Sequence, residues 1–115
     1  MANCTFRAAV PGDEALIWDF IRQLAVYERM DDQVVATPEL LTEWIFEKQK
    51  CEVVFAVVDG EEVGFTLFFH NFSTFLGRAG IYLEDLFVLP EHRGKGYGKA
   101  LLSNLARIAV ERGCG

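Results

Sequence analysis

The run Glu91-His92-Arg93-Gly94-Lys95-Gly96-Tyr97-Gly98-Lys99-Ala100-Leu101-Leu102, set directly after the apolar stretch Ile81 to Leu89, constrains this chain more than any other feature. Alternate glycines at 94, 96 and 98 remove Cβ atoms where a strand gives way to a helix, so successive backbone N–H groups can converge on an anion at the helix N-terminus. A phosphate is the expected occupant of that turn.

Single residues exclude two well-known phosphate loops. A Walker A loop ending in Gly98-Lys99 requires glycine at 93 and Ser or Thr at 100, where this chain has Arg93 and Ala100. A dinucleotide fingerprint starting at Gly94 and Gly96 requires a third small residue at 99, and Lys99 stands there.

At 115 residues, the chain is expected to fold as a single domain spanning 1–115. Hydrophobic residues make up 51% of it, ten of them phenylalanine, which excludes disorder. The net charge of −6 argues against nonspecific nucleic-acid binding, since no basic surplus is available to displace phosphate counterions, and it suits a cationic partner. Cys4, Cys51 and Cys114 are an odd number without close spacing, which fits neither a disulfide framework nor a zinc site. They read as free thiols, with Cys51 and Cys114 as packing residues. The start Met1-Ala2-Asn3-Cys4-Thr5 lacks the pattern of a signal peptide, and no apolar run approaches a membrane span, so a cytoplasmic protein without a membrane partner is expected.

Thr5 to Val10 reads as a strand closed by Pro11-Gly12. Asp13 and Glu14 open an amphipathic helix with Leu16, Ile17, Phe20, Ile21, Leu24 and Tyr27 at three- and four-residue spacing. After the polar Asp31-Asp32-Gln33, Thr37 can cap a short helix that starts with Pro38 and carries Leu40, Leu41, Trp44 and Ile45. Val53–Val58 and Val63–Phe72 read as strands of an antiparallel hairpin joined by Asp59-Gly60-Glu61-Glu62, and Ala79–Leu89 as the strand after it. Gly96 to Arg112 is helical, with Leu101, Leu105 and Ile108 on one stripe, Leu102, Ala106 and Ala109 beside it, and Gly113 at its end. The order is β-α-α-β-β-β-α. Trp18 and Trp44 are expected in the core.

Glu84 and Asp85 interrupt Ile81 to Leu89, whose apolar neighbours predict burial on both faces. An unpaired buried charge costs roughly several kcal/mol, so these carboxylates must be paired, solvated in a cleft or functional. Side chains alternate along a strand, and the two point to opposite faces unless a bulge redirects them.

The hexad Arg93-Gly94-Lys95-Gly96-Tyr97-Gly98 fits the pattern Gln/Arg-x-x-Gly-x-Gly/Ala. With Tyr82-Leu83-Glu84-Asp85-Leu86-Phe87-Val88-Leu89-Pro90 ahead of it, it resembles the GNAT N-acetyltransferases, which bind the pyrophosphate of acetyl-coenzyme A. Within them the chain is most similar to the diamine (spermidine/spermine) N-acetyltransferases. That likeness runs through Leu24-Ala25-Val26-Tyr27-Glu28-Arg29-Met30, Gln33-Val34, Gly64-Phe65, Phe68-Phe69 and Tyr82-Leu83-Glu84-Asp85, and so covers nearly the whole chain.

The resemblance implies an α/β fold with a mixed, mostly antiparallel sheet flanked by helices. It implies acetyl-CoA as co-substrate and acetyl transfer to a primary amine of a small polyamine, diamine or lysine-like molecule. Arg93, Gly94, Lys95, Gly96, Tyr97, Gly98 and Lys99 would hold the pyrophosphate. Backbone groups of Leu86, Phe87 and Val88 would pair with the pantetheine arm, and an N–H near Leu86 would polarise the thioester carbonyl. Glu84 would take a proton from the incoming ammonium, directly or through water, since an amine must lose that proton before its lone pair can attack. Tyr27, Glu28, Glu84 and Asp85 would surround the cationic acceptor. Other readings stay open: Glu84 and Asp85 as hydrogen-bonded residues at a strand edge, Tyr27 and Glu28 as an ordinary helix end, and a glycine turn without ligand. His92 is either a phosphate contact or a solvated turn residue, and His70 a strand-end histidine; no metal is expected.

Members of this family usually continue past the loop helix with a strand, a helix and a final hairpin, which supply a tyrosine that protonates the leaving thiolate. Gly113-Cys114-Gly115 reads as an interruption just before that strand. The expectation is therefore a truncated product, or a fold completed by another copy as a homodimer, with exposed apolar surface on the loop helix and weak or no activity alone. The competing reading is a non-catalytic CoA-binding or dimerisation fragment.

Overall fold

The computed structural model describes residues 4–114. Its elements are β1 (Cys4–Ala8), α1 (Glu14–Tyr27), a 3₁₀ turn (Asp31–Gln33), α2 (Pro38–Leu41) continuing into a π-helical segment (Thr42–Glu47), β2 (Glu52–Val58), β3 (Glu61–Ser73), β4 (Arg78–Val88), a second 3₁₀ turn (Pro90–His92) and α3 (Tyr97–Glu111). The strands form one antiparallel sheet in the order β1-β2-β3-β4.

Strand alternation sorts the apolar residues between two layers of helix. On one face Val53, Phe55, Phe65, Leu67 and Phe87 pack with Ile17 and Phe20 of α1, Leu41 of α2 and Ile45 of the π segment. On the other, Ala56, Val58, Val63 and Val88 meet Tyr97 and Leu101 of α3, and Val54 and Phe68 meet Leu105. With both faces covered, β2 is a nearly unbroken apolar run.

Local chemistry sets the helix starts. The Thr37 hydroxyl accepts from the Leu40 N–H at 3.2 Å, with Pro38 in the first helical turn, as the sequence predicts. Asp13 accepts from the Val10 N–H at 2.8 Å and pairs with the Arg7 guanidinium at 2.8 and 3.1 Å, which holds its carboxyl below the usual range. Trp44 departs from expectation: it is 45% exposed, with the Lys48 ammonium 4.2 Å from its ring centroid. The wider π turn, marked by the Lys48 N–H bonding to the Glu43 carbonyl, carries Ile45 rather than Trp44 under Leu41.

The β2–β3 connection is only Asp59-Gly60, with φ of 53° and 77°, the backbone that matches the twist of a tight hairpin. Glu61 and Glu62, expected in the turn, already belong to β3. Beyond Phe68, β3 and β4 continue as a two-stranded arm in which Phe69 and Tyr82 stack at 5.1 Å.

Burial on both faces does not hold for Ile81 to Leu89. Among the described residues β4 is the edge of the sheet, so only Phe87, Val88 and Leu89 are buried, whereas Tyr82 is 49% exposed and Glu84 is exposed.

Candidate active site

The register between β3 and β4 slips once. Leu67 pairs with Asp85 and Phe68 with Leu83, which leaves Glu84 as an extra residue, a β-bulge. The bulge resets the alternation. Leu86 and Val88 share the α3 side with Ile81 and Leu83, while Phe87 faces α1 and α2. Asp85 falls on the α1 side, near Glu28, the residue that caps the C-terminus of α1. Burial pushes the Asp85 carboxyl above its ordinary value, and the charges of Glu84 and Glu28 push it further. Three carboxylates from two elements therefore share one field. Among the described residues no group of three such ligands could hold a metal ion, so the cluster is open rather than a cage.

At the other end of β4, the chain turns through Leu89-Pro90 into the glycine loop. Gly94 and Gly96 adopt φ of +80° and +84°, a left-handed backbone that other residues rarely take, and a Cβ on either would enter open space. Among the described residues none of the backbone N–H groups of Gly94 through Lys99 has an acceptor, and no side chain caps α3. Lys95 and Lys99 are exposed and Tyr97 is buried under the loop. The loop is thus a row of unsatisfied donors at the positive end of a 15-residue helix.

A cleft of about 350 Å³ joins these parts. Leu86, Phe87 and Val88 form one wall, Leu24 and Tyr27 of α1 another, and Arg93, Gly94, Gly96, Tyr97 and Gly98 the floor. Glu28 and Asp85 are the chain neighbours of Tyr27 and Leu86, two of its lining residues, while none of the three carboxylates lines the cleft itself. A larger cleft of about 670 Å³, between the β1–β2 edge and the end of α3, contains none of the loop residues and none of the three carboxylates.

Of the residues singled out from the sequence, the structure gathers Tyr27, Leu86, Phe87, Val88, Arg93, Gly94, Gly96, Tyr97 and Gly98 around one cleft, brings Glu28 and Glu84 into the field of Asp85 outside its lining, and leaves the Lys95 and Lys99 side chains in solvent. The Arg93 side chain turns back into the protein: its Nε–H donates to the Val88 carbonyl at 3.0 Å, and its guanidinium lies 4.3 Å from the Tyr27 ring centroid and 5.1 Å from that of Phe87. His92 approaches Glu61 at 3.7 Å.

Comparison with known proteins decides the family. The acetyltransferase (GNAT) family model matches residues 16–115. This chain belongs to the GNAT family. A GNAT acetyltransferase is an acyltransferase that takes acetyl-CoA as co-substrate, and the free N–H row of residues 94–99, with open space over Gly94 and Gly96, fits the diphosphate of that molecule. The chain is 37% identical over 123 aligned residues to thialysine N-epsilon-acetyltransferase of Sus scrofa, spanning 99% of this chain and 72% of that protein. It is 29% identical to the L-ornithine N5-acetyltransferase of Arabidopsis thaliana, over 95% of this chain and 68% of the relative. Among solved structures, the ribosomal-protein-alanine N-acetyltransferase of Brucella melitensis biovar Abortus 2308 superposes with a TM-score of 0.79 at 26% identity, over 98% of this chain and 76% of that one.

Two features of this acetyltransferase escaped the sequence. Nothing in residue order signals that Arg93 reaches back to Tyr27, 66 positions earlier. Nor does it signal the cluster at the end of α3. There Arg112 bonds Glu52 at 2.6 and 2.8 Å and His70 at 2.9 Å, and the Cys114 sulfur lies 3.8 Å from His70. Cys114, expected as a packing residue, therefore has His70 as a neighbour, because the helix end folds back over β2 and β3. His70, expected at a strand end, is well inside β3.

Proposed function

We propose that this chain transfers the acetyl group of acetyl-CoA to the primary amine of a small cation of the lysine-like or diamine class. The observation that carries the reading is the shared field of three carboxylates, Glu28, Glu84 and Asp85, of which Glu28 and Asp85 are chain neighbours of residues lining a cleft floored by a row of unsatisfied N–H donors. The carboxylates suit an ammonium group and the donors a diphosphate. Acetyl-CoA supplies the activated acyl group. In this reading the loop N–H groups and the Lys95 and Lys99 ammonium groups hold the anion, and Leu86, Phe87 and Val88 flank the arm. Tyr27, Glu28 and Asp85 hold the cationic acceptor. Glu84, freed from the ladder by the bulge and exposed to water, accepts the proton the amine must shed. The nitrogen lone pair then forms the new C–N bond as the C–S bond breaks, its electrons leave on the sulfur, and the second proton shed by the nitrogen ends on that thiolate to give the free thiol. The relatives named for thialysine and ornithine support an acceptor with a second charged group. We read residues 1–115 as a single, partial N-acetyltransferase domain of a cytoplasmic homodimer. Leu102 and Val110 of α3, 50% and 80% exposed, support the pairing.

The test is thiol release from acetyl-CoA with thialysine, ornithine, spermidine and putrescine as acceptors, for the native chain and Glu84→Gln. Turnover with at least one dication, reduced roughly 10²- to 10⁴-fold in the variant, is the expected result. CoA binding without turnover on any amine would favour the non-catalytic alternative.

A further inference from the structure

We infer that Arg93 is a positioning residue that mechanically joins the two substrate sites, with the Tyr27 ring as its seat, rather than an independent phosphate ligand. The inference rests on the reading of the glycine loop as the diphosphate cradle. Arg93 is the last residue before the first left-handed glycine, so where its side chain is fixed decides where the N–H row begins. It is fixed three ways, by the Val88 carbonyl at 3.0 Å, the Phe87 ring at 5.1 Å and the Tyr27 ring at 4.3 Å. The first two belong to the strand that enters the loop. The third belongs to the last residue of α1, next to Glu28 of the carboxylate cluster.

Among the described residues no carboxylate pairs with Arg93. Its protein partners are π faces and one carbonyl, and the ring contact with Tyr27 ties the end of α1 to the loop. Lysine cannot reproduce this arrangement, because it lacks both the Nε–H directed at Val88 and a planar group to lie on the rings. A ligand that orders the loop therefore also orders the end of α1, where the acceptor would sit. By linkage, coenzyme and amine each raise the other's affinity.

A double-mutant cycle on coenzyme A affinity, measured by calorimetry on the full chain, tests this. Tyr27→Leu is expected to weaken coenzyme A binding by roughly two- to fivefold, the size of one exposed cation–π contact, and Tyr27→Phe to leave it unchanged. In an Arg93→Met background, Tyr27→Leu is expected to have no further effect. Additive losses would mean that Tyr27 touches the coenzyme directly and would overturn the inference, as would native affinity in Tyr27→Leu. Circular dichroism melts of each variant separate these outcomes from unfolding. Failure of the native chain to bind coenzyme A would instead remove the cradle reading on which the inference stands.

Discussion

Replacing the loop glycines one at a time with alanine should give opposite results two residues apart. Gly96 has φ of +84° and nothing within 4 Å of an added Cβ, so Gly96→Ala meets no neighbour. Its cost is conformational, about 1–2 kcal/mol for holding an L-residue left-handed, which for a chain of 115 residues is a fall in Tm of roughly 4–8 °C. The added methyl also stands in the open space over the N–H row. Losing one charged hydrogen bond there, about 1.5–3 kcal/mol, weakens coenzyme A roughly tenfold to a hundredfold. Gly98 lies within α3 with helical backbone, and its added Cβ would sit 3.7 Å from the Leu86 side chain and 3.9 Å from that of Val88, ordinary packing distances. Gly98→Ala should therefore keep its affinity within about threefold and gain up to about 1 kcal/mol from helix propensity. Thermal melts and coenzyme A titrations of both variants make the comparison. Equal losses at the two positions would refute the argument, and so would normal binding by Gly96→Ala, since the amides around residue 96 would then not be the anion site.

A Cβ at Gly64 would approach the Phe87 carbonyl oxygen to 2.7 Å, which backbone cannot relieve, so Gly64→Ala should lose about 1–3 kcal/mol in urea unfolding. The Asp85 carboxyl is held above its ordinary value by burial and by Glu84 and Glu28, so its ionised form opposes folding. The Asp85 contribution to stability should rise as pH falls through that raised value toward 3.8, opposed in the acid range by Asp13, Glu14 and Glu52, which are held below their ordinary values, so Asp85→Asn should melt higher at pH 7 with the difference from wild type shrinking on acidification; a lower Tm at pH 7 would contradict this. Arg112→Met, which breaks a pair with side chains 39% and 41% exposed, should cost no more than about 1 kcal/mol, and less in high salt.

The architecture was legible because local and global signals agree. Even and odd positions of Val53–Val58 are both apolar, and the sheet is covered on both faces. Thr37-Pro38 and Asp59-Gly60 are start and turn signals with one physical meaning each, and both act as read. Misreadings occur where a residue's surroundings are set by a distant element. Apolar composition alone made Ile81 to Leu89 look buried on both faces, but strand order, which composition does not encode, puts β4 at the edge among the described residues. Trp44 looked like core beside Ile45, but in this segment only Leu41 and Ile45, one helical turn apart, are buried, and Trp44 lies at the surface with Lys48 over its ring.

The bulge at Glu84 shows where sequence reading of the site ends. Adjacent acids in a strand have two geometries, opposite faces or one side, and the choice depends on register against a partner strand, which is a long-range property. In this chain Leu67 and Phe68 settle it by pairing with Asp85 and Leu83, leaving Glu84 out of the ladder. The same slip returns Ile81 and Leu83 to the α3 side, so hydrophobic packing of those residues under Leu105 and Ile108 holds the bulge in place. The position of the proposed proton acceptor is thus secured by apolar contacts on the opposite face of the sheet. Shortening Leu83 should for that reason disturb Glu84 without touching the cleft: Leu83→Ala should lose turnover beyond what its loss of stability explains, while coenzyme A affinity, set at residues 94–99, stays within about threefold. A variant that lost both in proportion would show that the bulge is held by the loop instead.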